Sequence, residues 1–116
     1  MRAWGFSLCL FLMPCVAYAG SISMTWTVPA PTPTQGVADR FTVYSGQGSV
    51  VCSDSTTVLS QSIASTTEMA YTHTGLLEGS LHCYEVTGVN VGGESPHSNR
   101  VSKVVPTNPP PAPLLR

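Results

Sequence analysis

The chain has 116 residues, enough for one domain, with a formal net charge of −1 and 9% charged residues, against about 25% in typical globular proteins. The few lysines and arginines do not form the basic patch that nucleic-acid binding requires, so no nucleic acid is expected among the partners. Serine and threonine fill the polar positions, which favours strands over helices. The composition therefore predicts an all-β domain.

The first 19 residues are typical of a secretory signal peptide. Arg2 supplies a positive start, "FSLCLFLMPCV" an apolar run, and Ala17, Tyr18 and Ala19 a small-x-small cleavage pattern. The alternative, a transmembrane anchor, needs about 20 apolar residues, and this run is shorter. We therefore expect an exported protein, extracellular or periplasmic, with no membrane span after cleavage. Residues 20–116 keep four basic and six acidic residues, for a net charge of 4 − 6 = −2.

The rest of the chain alternates apolar and polar residues in short stretches separated by turn residues, as strands do. Strands are predicted, in chain order, at "SISMTWTV", "DRFTVYSG", "QGSVVCS", "TTVLSQSIA", "EMAYTHTGL", "LHCYEVTGV" and "RVSKVVP". "PAPTPTQG" and "NVGGESPHSN" are predicted loops, and residues 106–116 a proline-rich tail of the polyproline type. Short strands at this spacing predict an antiparallel sandwich or small barrel. The predicted core residues are Trp26, Phe41, Val43, Leu76, Tyr84 and Val86.

The motifs "SISMTWTVP", "FTVY", "YTHTGLLEGSLH", "YEVTGVN" and "GESPHSNRVSKVV" together resemble a fibronectin type III domain of the bacterial and phage kind. The resemblance covers residues 21–105 and implies an immunoglobulin-like antiparallel β-sandwich over residues 20–105. It also implies a binding or spacing module without catalytic residues or cofactors. Three departures stand out: the family's first strand is absent, His82 replaces the corner tyrosine, and His73 replaces an aliphatic core residue.

Two cysteines remain after the expected removal of the signal, Cys52 and Cys83. An even pair in an exported chain predicts one disulfide, and the alternative is two separate thiols. Cys83 alternates with Tyr84, so the bridge would lie on the outer face of a sheet. A strand lying strictly between the two cysteines would make the gap too long for a bridge. The pair lacks the further ligands that a zinc site needs, so no metal is expected.

No catalytic motif is present, and we predict that the protein is not an enzyme. The three histidines, His73, His82 and His97, have two interpretations. In the first, each ring lies in the core or at its rim and is hydrogen-bonded to the backbone. In the second, His73 and His82 both point inward from facing sheets, and their burial makes folding sensitive to pH.

The resemblance implies that three loops gather at one end of the domain, at residues 29–38, 60–67 and 90–98. The candidate binding residues there are Pro33, Gln35, Gly92, Gly93, Glu94 and His97. The alternative is that these loops are only solvated connections. A protein or glycan partner suits their low charge better than electrostatic steering does.

The missing first strand predicts an exposed strand edge, which natural proteins usually cover. The tail resembles the opening strand of a following domain through Pro111, Ala112, Pro113, Leu114 and Leu115. We hypothesise that the tail pairs with an exposed edge, on its own chain or on another copy, which would build oligomers or filaments by strand addition. The alternatives are an accessory or inhibitor protein that binds a partner through its loops, and a decoration module on a phage or virion surface.

Overall fold

The computed structural model describes residues 20–107 and 112–116, so the predicted signal peptide lies outside the described residues. The described part holds seven strands and one short helix. In chain order these are β1 (Gly20–Thr25), β2 (Arg40–Gln47), α1 (Ser49–Ser53), β3 (Gln61–Thr66), β4 (Ala70–Leu76), β5 (Leu81–Asn90), β6 (Gly93–Glu94) and β7 (Val101–Val104).

The strands form two antiparallel sheets. The small sheet contains β1 and β4, and the large sheet has the order β3-β2-β5-β6. Strand β7 also pairs with β5. It lies on the same edge of β5 as β6, because β2 pairs with residues 82–89 of β5 along the other edge. This architecture confirms the prediction of an immunoglobulin-like, all-β sandwich.

The core lies between the two sheets. Its buried residues come from both sheets and from the segment after β7: Ile22, Val43, Leu76, Tyr84 and Val105. Phe41 is also buried, whereas Trp26 and Val86 are partly buried and pack against this cluster from the side. The alternating faces of β1, β2 and β5 therefore converge on one interior, as the period-2 pattern predicts.

The predicted strand at "QGSVVCS" is wrong, because β2 ends at Gln47 and the next residues form α1. Gly48 stands between the two elements with a φ of 91°, a left-handed conformation that ends a strand and favours glycine. The valines of α1 that suggested a strand are exposed, Val50 at 82%. The helix instead carries Cys52 over the outer face of the large sheet.

Cys52 and Cys83 form a disulfide, with a Cα–Cα distance of 5.6 Å. Cys83 points away from Tyr84 and is completely buried under α1 and Leu59, so the bridge lies on the outer face of the large sheet. Gly46 pairs with Cys83, and a Cβ there would lie 2.7 Å from Val51 Cγ1. The absence of a side chain at Gly46 therefore lets α1 approach the sheet. A buried disulfide is compatible with an extracellular or periplasmic location.

We predict that the variant Cys52→Ser/Cys83→Ser loses about 3–4 kcal/mol of unfolding free energy, because the bridge closes a long loop in the unfolded chain. Urea unfolding followed by far-UV circular dichroism measures the loss. Reductant should lower the midpoint of the wild-type protein and leave the double variant unchanged. An unchanged wild-type midpoint after complete reduction would contradict the prediction.

Candidate functional site

A groove opens at the end of the sandwich where β1 and β5 finish. It encloses a volume of about 930 Å³. One wall is the β1–β2 connection, residues 26–38, and the other is the end of β5 with the turn that follows it. Apolar side chains line much of it, among them Trp26, Val28, Pro31, Val37 and Phe41. We call it the loop-end groove.

Hydrogen bonds join the two walls of the groove and fix their relative position. Asp39 N–H donates to the Val89 carbonyl at 2.7 Å, and Asn90 Nδ2 donates to the Val37 carbonyl at 3.2 Å. The Asn90 side-chain oxygen also accepts from Gly92 N–H at 2.7 Å, which fixes the turn of the second wall. The groove is therefore pre-formed, which lowers the entropic cost of binding.

Four of the six predicted binding residues line the groove, and two do not. Gln35, Gly92, Gly93 and Glu94 line the groove, whereas Pro33 and His97 do not. The third predicted loop, residues 60–67, is largely strand β3, which pairs with β2 and does not contribute to the groove. Two of the three predicted loops thus meet.

Trp26 lines the groove and also packs against the core. Its ring meets Phe41 edge-on, with centroids 5.6 Å apart. Its Nε1 atom is buried and has no hydrogen-bond acceptor within the described residues. A buried donor without a partner costs about 1–3 kcal/mol. The alternation that identified Trp26 as a core residue carried no signal for this donor.

The outer edge of β1 is open. Strand β1 pairs with β4, and no other strand of the described part lies against it. Trp26 N–H donates to the Met69 carbonyl on the β4 side at 3.1 Å. Since backbone direction alternates along a strand, the N–H and C=O groups of Ser23 and Thr25 point to the open edge. Such an edge is a template for a further strand.

The tail leaves the sandwich at the end opposite the groove. Val105 is fully buried beside Gly20, and its N–H donates to the Ser80 carbonyl at 2.9 Å. Ala112–Arg116 are exposed and belong to no strand, with Leu114 81% and Leu115 101% exposed. The hypothesised pairing of the tail with an edge of its own chain is therefore not seen in the described residues.

A buried ion pair on the outer face of the large sheet was missed by the sequence reasoning. Glu85, 5% exposed, accepts from Arg100 Nε at 2.8 Å, Leu59 N–H at 2.9 Å and His97 Nδ1 at 2.7 Å. Burial opposes ionisation of Glu85, but the bonds from Leu59, Arg100 and His97 outweigh it and lower the pKa of the carboxyl. The carboxylate therefore stays charged until the pH falls below its ordinary range.

Arg100 uses its remaining donors to hold the segment between α1 and β3. Its guanidinium donates to the carbonyl oxygens of Val51, Asp54 and Thr57. This planar group with its five donors can satisfy a carboxylate and several carbonyls at once. The segment over the disulfide is thereby fixed to the sheet.

Glu94 is also engaged in the fold. It accepts from the hydroxyls of Thr87 and Tyr44, and these bonds lower the pKa of its carboxyl. The same bond to Glu94 raises the pKa of Tyr44, whose ring packs on His97 with centroids 4.4 Å apart. The candidate residues Glu94 and His97 therefore anchor the β5–β7 connection to the large sheet.

His73 and His82 face each other between the two sheets, with ring centroids 5.8 Å apart. His73 Nδ1 is 2.7 Å from the Tyr84 hydroxyl, and His82 Nε2 is 2.9 Å from the Ser80 hydroxyl. Burial lowers the pKa of both rings, and the charge of His82 lowers that of His73 further. Burial, with a contribution from Tyr71, raises the pKa of Tyr84 to about 12. The partners of the two rings are side-chain hydroxyls and not backbone groups. The pH sensitivity of folding stays a prediction.

Within the described residues, no group of three or more His, Cys, Asp or Glu side chains lies close enough to hold a metal ion. In the same part of the chain, no helix is long and apolar enough to cross a membrane. The described residues offer two candidate binding surfaces, the loop-end groove and the open β1 edge.

We predict that Arg100→Ala lowers the free energy of unfolding by about 3 kcal/mol, because it leaves the Glu85 carboxylate buried without its charged partner. Denaturant unfolding at neutral pH measures the change. Lys103→Ala is the control, since Lys103 lies in the exposed strand β7 and should change stability by less than about 0.5 kcal/mol. Equal effects of the two variants would show that the ion pair contributes nothing specific.

We predict that the unfolding free energy falls as the pH is lowered from 7.5 to 5. The folded-state pKa values of His73 and His82 lie below the ordinary value of 6.5, so the unfolded chain takes up protons first. The stabilisation is present above pH 6.5 and is lost as the pH falls towards the folded-state values. Chemical unfolding at several pH values measures the slope.

The double variant His73→Gln/His82→Gln should flatten this slope. His97→Gln retains both interior rings, so the loss of stability on acidification should persist in it. A slope that survives in the double variant would assign the pH dependence to other groups.

No family model matches the sequence, and no curated protein matches it. Among solved structures, the chain is similar to the twitchin kinase region from C. elegans (Fn31-NL-kin-CRD-Ig26), at 15% identity and a TM-score of 0.61, over 78% of this chain and 15% of that chain. It is also similar to a chain described as a myokine structure, at 20% identity and a TM-score of 0.54, over 78% of this chain and 87% of that chain. At these identities the likeness shows the fold alone: the chain is a β-sandwich of the fibronectin type III and immunoglobulin-like kind.

Proposed function

We propose that this protein is a non-catalytic, exported β-sandwich module that assembles with copies of itself by strand addition. The observation that carries the proposal is the open outer edge of β1, where the backbone groups of Ser23 and Thr25 have no partner within the described residues. Unpaired edges are normally covered, shortened or charged, and β1 carries no charged residue. An incoming strand would extend the small sheet from two strands to three.

The sequence of the tail allows it to pair with a neighbouring strand along one of its two edges. In extended form the backbone groups of Ala112 and Leu114 point to one side and those of Pro111 and Pro113 to the other. The first side keeps its N–H donors and can pair with β1, while the prolines cannot donate to a further strand. The five residues 112–116 would extend about 17 Å, close to the roughly 20 Å of β1. One tail strand therefore fits one edge and ends the sheet.

The positions of the tail and the edge favour assembly between copies. The tail begins beside Gly20, where β1 starts, and residues 112–116 make no strand with their own chain. A second copy placed in line would receive the tail from the end where its β1 finishes, so the tail would run antiparallel to β1. This contact is heterologous and repeats from copy to copy, which gives a ring or a filament.

The alternation along an extended strand also predicts which face of the sheet each side chain of the tail would occupy. In such an antiparallel pair, Ala112 and Leu114 would share the solvent face with Ser23 and Thr25. Pro113 and Leu115 would then lie on the inner face beside Ile22 and Met24, of which Ile22 is buried and Met24 partly exposed. Leu115 is therefore the side chain expected to bury the most apolar surface on assembly.

A second candidate function is the binding of a protein or glycan partner in the loop-end groove. The pre-formed groove with its many apolar lining residues favours it. Substitutions in the groove would impair this function, whereas substitutions at the β1 edge would impair assembly.

We predict that Ser23→Pro, in the mature protein of residues 20–116, weakens self-association at least tenfold. Proline removes the outward N–H of Ser23 and its ring blocks the incoming strand, while the bonds between β1 and β4 are kept. Light scattering coupled to size-exclusion chromatography measures the concentration dependence of mass.

Thr72→Pro is the matched control, because Thr72 lies opposite Ser23 on β4 and its N–H points to the other outer edge of the same sheet. It should perturb the sheet equally and leave self-association intact. In the tail, Leu115→Ser should impair self-association and Leu114→Ser should not. A wild-type protein that stays monomeric at all accessible concentrations would overturn the proposal.

A further inference from the structure

The inner face of β7 is covered at one end and exposed at the other. Residues directly opposite each other in an antiparallel pair point to the same face of the sheet. Val101 lies opposite the core residue Tyr84, so it points to the inside of the sandwich. Val105, four residues further along, is completely buried, whereas Val101 is 45% exposed. The inner face of β7 thus presents an apolar side chain that is only partly covered.

The course of β1 explains this difference. At the start of β1, Gly20 lies so close to Val105 that a Cβ there would be 2.2 Å from Val105 Cγ1. Directly after β1, the ring of Trp26 packs against Phe41 of β2, which lies on the far side of β5 from β7. Strand β1 therefore crosses the large sheet from β7 towards β2 and leaves the side of Val101 uncovered.

The open edge of β1 is directed towards the uncovered part of β7. The other edge of β1 carries β4, and His73 of β4 lies against Tyr84 and His82 of β5. Strand β4 thus lies over β5, and the start of β1 lies beside Val105, the residue that follows β7. A third strand on the open edge of β1 would continue this order and lie over the inner face of β7.

Val86 continues the apolar surface from β7 onto β5. It lies two residues after Tyr84 and therefore on the same inner face, next to Val101 on the diagonal. Its side chain packs against the core but is only partly buried. We call Val86 and Val101 the valine surface.

We propose that the valine surface receives the inward side chains of the strand added to β1, and that these are Pro113 and Leu115 of a second copy. This inference rests on the strand addition proposed above, and it identifies the side-chain contact by which the domain selects the incoming strand. Backbone pairing along β1 accepts many sequences, whereas the valine surface requires apolar side chains at alternate positions.

The register supports this contact. Val101 lies four residues, or about 13 Å of strand, from the point where Gly20 contacts the large sheet. Four residues of β1 lead from Gly20 to Met24, so Val101 is level with Met24. In the antiparallel pairing with the tail, Pro113 lies opposite Met24. Leu115 follows two residues later on the same face, so the two side chains would adjoin Val101 together.

The exposure of the tail also fits this contact. Leu115 is 101% exposed and Pro113 is exposed, so the described part of their own domain covers neither side chain. Lys103 lies on the inner face of β7, two residues after Val101. Its aliphatic stem can pack beside Leu115 while its ammonium group stays in water, so the contact buries no charge.

The first test replaces Val101 in the mature protein of residues 20–116. Val101→Ser should weaken self-association by about fivefold or more, because it places a hydroxyl where apolar side chains meet. Val104→Ser is the matched control, since Val104 is 59% exposed and lies on the outer face of β7. It should leave self-association unchanged, and Val101→Ile should keep it at or above the wild-type level. Light scattering coupled to size-exclusion chromatography measures all three variants.

A double-variant cycle tests the contact itself. Val101→Ala and Leu115→Ala should each weaken self-association, and the variant with both changes should weaken it by clearly less than the product of the two factors. Val104→Ala with Leu115→Ala is the control pair, for which the two factors should multiply. Factors that multiply for Val101 and Leu115 as well would overturn the contact.

The outcomes separate the two proposals. If Ser23→Pro dissociates the assembly and Val101→Ser does not, the role of the valine surface is overturned and strand addition stands. If Val101→Ser dissociates it and Ser23→Pro does not, backbone pairing at β1 is overturned, and the role assigned to the valine surface falls with it. Similar urea midpoints for Val101→Ser and Val104→Ser, expected because both valines are about half exposed, would show that the two variants differ in association and not in folding.

Discussion

The ion pair between Glu85 and Arg100 is the interaction on which the outer half of the domain depends. Glu85 is buried in the middle of β5, where an unpaired charge would be very costly. Arg100 neutralises it and at the same time binds three carbonyls of the segment after α1. The disulfide and Leu59 then complete a small second core above the sheet. Strand β5 is consequently buried on both faces although its sheet is antiparallel.

The alternation of apolar and polar residues predicted the sandwich, because successive side chains of a strand point to opposite faces of its sheet. The pattern of β5 placed Tyr84 on the inner face and Cys83 on the outer one, and the disulfide confirms the outward direction of Cys83. The departures from the fibronectin type III pattern at His73 and His82 could be seen in the sequence. The structure shows that the two rings lie close together, because the two sheets that carry them pack face to face.

Other features had no local signal. Helix α1 follows Gly48, whose positive φ ends β2, and the disulfide joins it to Cys83. The two valines of "SVVCS" are typical of a strand and indicate neither feature. The partner of Glu85 is 15 residues away across an irregular connection, so no period links it to Arg100. The unpartnered Nε1 of Trp26 depends on the position of loops that approach from another part of the chain.

The contact between Gly20 and Val105 has a consequence for when the domain folds. A Cβ at position 20 would lie 2.2 Å from Val105 Cγ1, so the first and last described parts of the sandwich interlock without space for a side chain. Ile22 and Val105 belong to one core cluster, and their contacts join residues far apart in sequence. Such long-range closure is slow, and it cannot occur before the ribosome has added Val105. The sandwich therefore stays open to chaperones until Val105 has been synthesised.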